Sequence, residues 1–265
     1  MRNSVLLCVN AVGLSPFANE KLFQNVSAVE IAKKNIQFLV QSLQEENPES
    51  TVSLIVIADR QIAEYSAERT IVRETWSESD FLQVLQEECQ SLDQHDAILL
   101  VPADAPFLLL KEAQALLAQH IQYYAHYSFA DGYPKACVPE LVSVESLLLL
   151  AGIAKSDSAF TGFFPIVERD INAFDIETRI SPIDFRMERL ELRPVNRRSY
   201  LLCQRLAPYF QDFLLQSGQL LDGVSFTNIL KEIKNEFRTL PASINWVLHS
   251  KAERPAMYQA QLPAI

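Results

Sequence analysis

The chain has 265 residues, 49% apolar and 21% charged, which is the balance of an ordinary globular protein. A formal net charge of −10 and a pI near 5.0 argue against broad binding to nucleic acid or to an anionic membrane. No apolar run approaches the ~20 residues that span a bilayer, and Met1-Arg2-Asn3-Ser4 leads into a strand-like run without a small-residue cleavage site, so a cytoplasmic location is expected.

Residues 4–11, with Val5-Leu6-Leu7-Cys8-Val9, read as a strand buried on both faces. Residues 12–24 contain Gly13, Ser15, Pro16 and Asn19 and are expected to form a loop. Ser27 caps a helix from Ala28, in which Val29, Ile31, Ala32, Ile36, Leu39, Val40 and Leu43 recur at helical spacing; Asn47-Pro48-Glu49-Ser50 ends it. Residues 52–58 form a second buried strand closing on Asp59, and Thr70-Ile71-Val72 a short one. Ser79-Asp80 opens a helix through Phe81, Leu82, Leu85 and Cys89. Ala97 to Val101 are five apolar residues in a row, a strand that breaks at Pro102 and leads through Asp104 and Pro106 into a helix from Leu110 to about Tyr124. Further expectations are a strand over 124–129, a turn over 130–134, a helix over 142–154, short strands over 160–167, 174–180 and 189–192, and helices over 196–215 and 222–237. The strand–helix alternation predicts an α/β fold, doubly wound around a mostly parallel sheet, with a helical C-terminal segment. Residues 1–240 read as one domain, with 206–240 as that segment. Residues 241–265, with Pro241, Pro255 and Pro263, read as a linker or the start of a missing downstream domain.

Cys8, Cys89, Cys137 and Cys203 lie far apart with no C-x-x-C pair, and the histidines show no ligand spacing. A zinc ribbon or an iron–sulfur cluster within this chain is therefore not expected, and buried thiols are. The basic group Arg193, Arg197, Arg198 and Arg205 is too small to outweigh the acidic balance, yet it could meet a phosphate. Asp104 stands just past the carboxyl end of a buried strand, where ligands of open α/β sheets sit. A carboxylate there can hold a divalent cation against phosphate oxygens; equally, an Asp beside prolines opens a turn or caps a helix. Asp175 and Glu177 are two apart and share one face of a strand, either completing a cation cage with Asp104 or pairing with Arg179 or Arg186 on a solvated face. Asp131-Gly132 is a turn signal with Gly132 at positive φ, and the adjacent Tyr133 could stack on a base or sugar.

Two of these stretches resemble a known family. Ser15-Pro16-Phe17-Ala18-Asn19-Glu20-Lys21 resembles the first loop of sugar nucleotidyltransferases with the GT-A-type fold, which in the cytidylyltransferase branch reads S-x-R-L-P-x-K. Ser15 and Lys21 match the first and last positions; Phe17 replaces the arginine, and Gly13 is the one small residue kept for phosphate contact. Ala103-Asp104-Ala105-Pro106-Phe107 resembles the family's G-D-x-P-hydrophobic segment, with Ala103 in place of the usual Gly. The resemblance implies a three-layer Rossmann-like sandwich of GT-A type. It also implies Lys21 and Asp104 as catalytic residues, Lys21 on the pyrophosphate leaving group, and Mg²⁺ held by Asp104 with Asp175, Glu177 or Asp184. Ala11, Gly13, Ser15, Asp131, Tyr133 and Arg186 would then bind nucleotide or substrate.

The 130–134 turn, Phe174-Asp175-Ile176-Glu177, Ser181-Pro182-Ile183-Asp184-Phe185-Arg186 and Thr239-Leu240-Pro241-Ala242 together resemble the N-terminal region of the spiro-SPASM proteins of spirochaetes. Those fuse a GT-A-like domain to a radical S-adenosylmethionine domain with a cysteine-rich SPASM tail. Three functions are implied: transfer of a nucleotidyl group from a nucleoside triphosphate to a sugar-type phosphate; a degenerate nucleotide-sugar or substrate-binding module attached to a radical SAM/SPASM enzyme; or a glycosyltransferase. The implied partners are a nucleotide or nucleotide sugar and a downstream radical SAM/SPASM domain.

Overall fold

The computed structural model describes residues 4–46, 48–188, 190–215 and 222–234. The apolar run of β1 (Val5–Ala11) is buried throughout except at Asn10. The loop expected over 12–24 instead holds a 3₁₀ turn, Pro16–Ala18, and the start of a small hairpin, β2 (Lys21–Phe23) with β3 (Val26–Ser27), turned by Gln24 and Asn25 at positive φ. Ser27 Oγ accepts from the Glu30 amide at 3.2 Å and the Glu30 carboxylate from the Ser27 amide at 2.7 Å, a reciprocal cap that starts α1 (Ala28–Glu46). β4 (Val52–Ala58) and β5 (Arg69–Val72) follow. α2 (Glu78–Glu88) begins ahead of the expected Ser79 because Ser77 and Asp80 form its capping box. Then come β6 (Ala97–Pro102), α3 (Leu110–Gln122) and β7 (Tyr127–Asp131), with the turn falling on Gly132 at φ +82°.

Four later expectations need correction. The helix expected over 142–154 splits into β8 (Glu140–Ser143) and α4 (Ser146–Ile153), because Leu141 and Val142 are both buried, one against each layer of helices. The strand expected over 160–167 is a short helix, α5 (Phe164–Val167), with Pro165 in its first turn. The Glu140 carboxylate accepts from the amides of Phe163 at 2.8 Å and Phe164 at 3.0 Å, satisfying donors a helix start leaves open. β9 (Ile176–Ile180) lies where a strand was expected, but that over 189–192 shrinks to one bridge between Glu191 and Lys135; Arg189 lies outside the described residues. The helix over 196–215 breaks near Pro208 into α6 (Arg197–Leu206), a 3₁₀ turn and α7 (Gln211–Leu215), and α8 (Gly223–Glu232) is the last described helix. Thr239-Leu240-Pro241-Ala242 and the expected linker lie outside the described residues.

The seven-stranded sheet has the order β5-β4-β1-β6-β8-β7-β9, parallel throughout except for β8, which runs antiparallel to both neighbours. Alternate residues of β1 feed opposite layers. Val5, Leu7 and Val9 pack with Val29, Ile36 and Leu39 of α1 and Leu116 of α3; Leu6 and Cys8 pack with Phe81 and Leu85 of α2 and Leu150 of α4. A third core, with Phe107, Phe185, Leu190, Leu192, Leu206, Phe210 and Phe226, seats α6 and α8 beside the carboxyl ends of the strands. The three layers are those of a GT-A-like α/β sandwich. All four cysteines are buried and unbridged, and among the described residues no helix is long and apolar enough to cross a membrane.

Buried Glu112 of α3 pins this third core. Its Oε1 accepts from the Gly223 amide at 2.9 Å, its Oε2 pairs with Arg179, and the Tyr133 hydroxyl bonds to the same carboxylate. A methyl group on Gly223 would collide with the Tyr133 hydroxyl and stand 2.8 Å from Glu112 Oε1. Gly223→Ala is expected to cost roughly 1–3 kcal/mol in urea unfolding by overpacking. Gly152→Ala in α4, where nothing lies within 4 Å of the added carbon, is its control and should be neutral or slightly stabilising. Equal midpoints for the two variants would contradict this packing.

Candidate functional site

The parallel strands β1, β4, β6, β7 and β9 all end at one edge of the sheet, so the segments leaving Ala11, Ala58, Pro102, Asp131 and Ile180 face the same crevice. After β6 the chain turns tightly: the Ala103 amide donates to the Asn10 carbonyl at 2.9 Å and the Ala105 amide to the Pro102 carbonyl at 3.4 Å. This folds Asp104 inward, leaving its side chain 1% exposed. Arg193 Nε donates to Asp104 Oδ1 at 2.6 Å, and the arginine side chain is 26% exposed. Asp104 Oδ2 is buried and has no partner among the described residues; neither has the buried Tyr65 hydroxyl, which burial and then the Asp104 charge push far above its usual range.

Beside this pair lies a cleft of about 490 Å³ lined by Tyr133, Lys135, Phe185, Arg186, Leu190 and Glu191. Burial raises the Glu191 carboxyl above the usual carboxylate range, against the pull of Arg193 and Lys135 and with a push from Asp104. Its Oε1 is buried without a partner among the described residues.

The first loop is closed on itself. The Gly13 amide, at φ +67°, donates to Asp59 Oδ2 at 3.0 Å; Arg60 Nη2 donates to the Leu14 carbonyl at 2.7 Å, and its Nη1 lies 3.5 Å from Asp59 Oδ1. Ser15 Oγ accepts from the Phe17 amide at 3.2 Å and so caps the 3₁₀ turn. Phe17, standing in the arginine's position, stacks on Tyr200 with ring centroids 5.5 Å apart. Lys21 is exposed and its ammonium donates to Asn25 Oδ1 at 3.2 Å. The Lys21 carbonyl accepts from the Tyr200 hydroxyl at 2.9 Å and Gln204 at 3.0 Å, which ties the hairpin to α6. Ala11 is buried at the end of β1 and offers only its backbone to the crevice.

The four carboxylates expected to share a cation do not converge. Register runs from Ile98 through Val142 and Tyr127 to Ile176, so Asp175 and Glu177 flank the level of Ile98, near the opposite edge from Asp104. Six residues along the chain and three strands across, that is roughly 20 Å by 14 Å. Asp175 is 84% exposed beside His126, and Glu177 accepts from Gln119 at 2.6 Å. Asp184 is at the carboxyl edge, but Arg186 grips both its oxygens at 2.7 to 3.0 Å and also reaches Asp131 at 3.0 Å. The Arg186 donors hold the Asp184 carboxyl below the usual range. Tyr133 lines the cleft with its hydroxyl tied to Glu112, a fixed wall rather than a free stacking ring. The residues sequence reasoning missed are Asp59, Tyr65, Lys135 and Glu191, and the pairing of Arg193 with Asp104. Asp59 ends a buried strand as Asp104 does, and that signal was available.

No protein-family model matches the chain. A 72-residue stretch is 36% identical to an uncharacterized protein of Treponema pallidum (strain Nichols), spanning 27% of this chain and 33% of that protein. A cytidylyltransferase from Leptospira borgpetersenii serovar Hardjo-bovis (strain JB197) superposes with a TM-score of 0.64 over 89% of this chain and 97% of its own, at 14% identity. The manganese complex of Rv0371C from Mycobacterium tuberculosis H37Rv superposes with a TM-score of 0.51 over 76% of this chain and 98% of its own, at 10% identity. The two structural likenesses show the fold, an α/β sandwich of GT-A type.

The manganese belongs to that neighbour. The donor set here does not fit a resident metal: among the described residues no three of His, Cys, Asp and Glu gather, and Asp104 already holds a guanidinium. Because Asp104 is buried, its pairing is structural. Arg193→Gln strands the carboxylate and should cost roughly 3 kcal/mol in urea unfolding, whereas Asp104→Asn with Arg193→Gln should recover most of that loss. A single variant as stable as the parent would contradict the pairing.

Proposed function

We propose that the chain is a nucleotide- or nucleotide-sugar-binding module that keeps the nucleotidyltransferase fold and has lost most of its transfer chemistry. The observation that carries this reading is the Gly13 amide donating to Asp59 Oδ2 at 3.0 Å. First-loop amides are the groups that would cradle a triphosphate, and here a carboxylate occupies one of them. Lys21, tied to Asn25, is left as the loop's ammonium, since Phe17 replaces the arginine. A triphosphate therefore meets an occupied amide and a carboxylate whose charge Arg60, 3.5 Å away, offsets only in part, while a diphosphate or nucleotide sugar brings less charge to the same place. The resemblance to the spiro-SPASM N-terminal region supports a module that presents a substrate to an attached radical SAM domain. A downstream C-x-x-x-C-x-x-C in the full-length gene is the check on that part.

One observation favours a second reading, Mg²⁺-dependent nucleotidyl transfer to a sugar-type phosphate: Asp104 Oδ2 has no partner among the described residues. In that reading Asp104 faces the reacting phosphates and Lys21 the pyrophosphate. A glycosyltransferase would need Asp104 and less of the first loop.

Calorimetric titration with nucleoside triphosphates, diphosphates and nucleotide sugars, alongside a pyrophosphate-release assay, separates these readings. Expected are binding of a diphosphate or nucleotide sugar ahead of any triphosphate, and no pyrophosphate release. Asp59→Asn should tighten triphosphate binding about tenfold, the equivalent of ~1.4 kcal/mol. Pyrophosphate release that Asp104→Asn abolishes would establish the transferase instead, and silence with every nucleotide would remove both.

A further inference from the structure

We infer that Arg193 is a built-in counter-cation at the carboxyl edge of the sheet, taking the ligand's phosphate directly so that binding needs no divalent metal. This rests on the nucleotide-binding reading above and says how that site would meet the ligand's charge.

A carboxylate as enclosed as that of Asp104 requires a positive partner, and the chain supplies one covalently, with Arg193 Nε 2.6 Å from Oδ1. Only the Nε donor is used. The two terminal amino groups of the guanidinium have no hydrogen-bond partner among the described residues, and about a quarter of the side chain is exposed. A guanidinium fixed at one corner, with its other donors open, matches the geometry of a phosphate oxygen pair.

The backbone holds the arginine in place. Leu192 and Pro194 are buried on either side of it, and Glu191 is bridged to Lys135. Three residues past Arg193, Asn196 caps α6, its Oδ1 accepting from the Ser199 amide at 3.0 Å. Glu191 and Arg193, two apart on an extended segment, share a face, and Glu191 lines the cleft beside Lys135. The local charge is set for an anion: Arg193 and Lys135 stand against Asp104 and a glutamate whose burial disfavours ionisation. A divalent cation approaching Asp104 would meet the guanidinium's charge on Oδ1 and an Oδ2 that is closed to solvent.

The test titrates the protein with CDP and with inorganic pyrophosphate, in excess EDTA and in excess Mg²⁺, and follows Mn²⁺ binding to the protein alone by electron paramagnetic resonance. Expected for the parent are equal affinities with and without metal and no bound Mn²⁺. Arg193→Gln should weaken CDP binding in EDTA by about 10- to 100-fold, the worth of a charge-assisted hydrogen bond, with Arg193→Lys in between. Asp104→Asn with Arg193→Gln, which leaves no buried charge, should show the same loss and keep the weakening distinct from misfolding. Arg193→Gln should also bind Mn²⁺, its Asp104 having lost its partner. Binding that needs Mg²⁺, or a folded double variant that binds as the parent does, would overturn the proposal. Pyrophosphate binding that Arg193→Gln abolishes, with no CDP binding, removes the nucleotide reading alone, and silence with both probes removes both. Mn²⁺ on the parent that Asp104→Asn removes overturns the counter-cation role; Mn²⁺ appearing only in Arg193→Gln supports it.

Discussion

A carboxylate with 1% of its side chain exposed, 2.6 Å from a guanidinium, sets the terms for everything at the carboxyl edge of this sheet. Asp104 is driven inward because β6 is the buried centre of the sheet and the turn after it is closed by backbone bonds from Ala103 and Ala105. Once inside, it needs a partner that cannot leave, and Arg193 arrives from 89 residues away. That delivery depends on the third core: Leu190 and Leu192 sink into it with Phe107 and Phe185, and α6 and α8 cover it. The Glu112 contacts with Arg179, Tyr133 and the Gly223 amide then fix α8. The C-terminal helices thus belong to the site through the arginine they help to hold.

The same solution recurs along the edge. Asp59 lies beside Arg60, Asp131 and Asp184 share Arg186, and Asp104 has Arg193. The first-loop amide that a ligand phosphate would use is turned to Asp59. Carboxylates at this edge are thus neutralised mostly from within the chain. A net charge of −10 gives the molecule no long-range pull on a polyphosphate, so the proposed nucleotide binding depends on the few cations that are locally exposed. Lys135 lines the cleft, and Arg193, two residues from the cleft-lining Glu191, keeps about a quarter of its side chain exposed.

The sheet was legible where burial is two-sided. β1, β4 and β6 are runs of consecutive apolar residues, and the expected bounds of β4 match the structure residue for residue. β8 was not legible, because four residues of strand run straight into the apolar α4 and together imitate one amphipathic helix. Phe163 and Phe164 read as strand residues, yet the Glu140 carboxylate, more than 20 positions away, caps them into a helix. The site divides in the same way. Asp104 could be found from the strand it ends, and Gly13 from its loop. The separation of Asp175 and Glu177 from Asp104 follows from the strand order and the antiparallel placement of β8, which local periodicity does not encode. Arg193 stood in a recognisable basic group, but nothing nearby in sequence names Asp104 as its partner.

The most direct measurement is a crystal structure of the protein grown with CDP and excess Mn²⁺, with anomalous differences collected at the manganese edge. Arg193 should remain on Asp104 Oδ1 with its terminal amino groups on a phosphate of the nucleotide, and no manganese peak should stand at Asp104. A manganese peak bound to Asp104, with Arg193 swung away, would contradict the account.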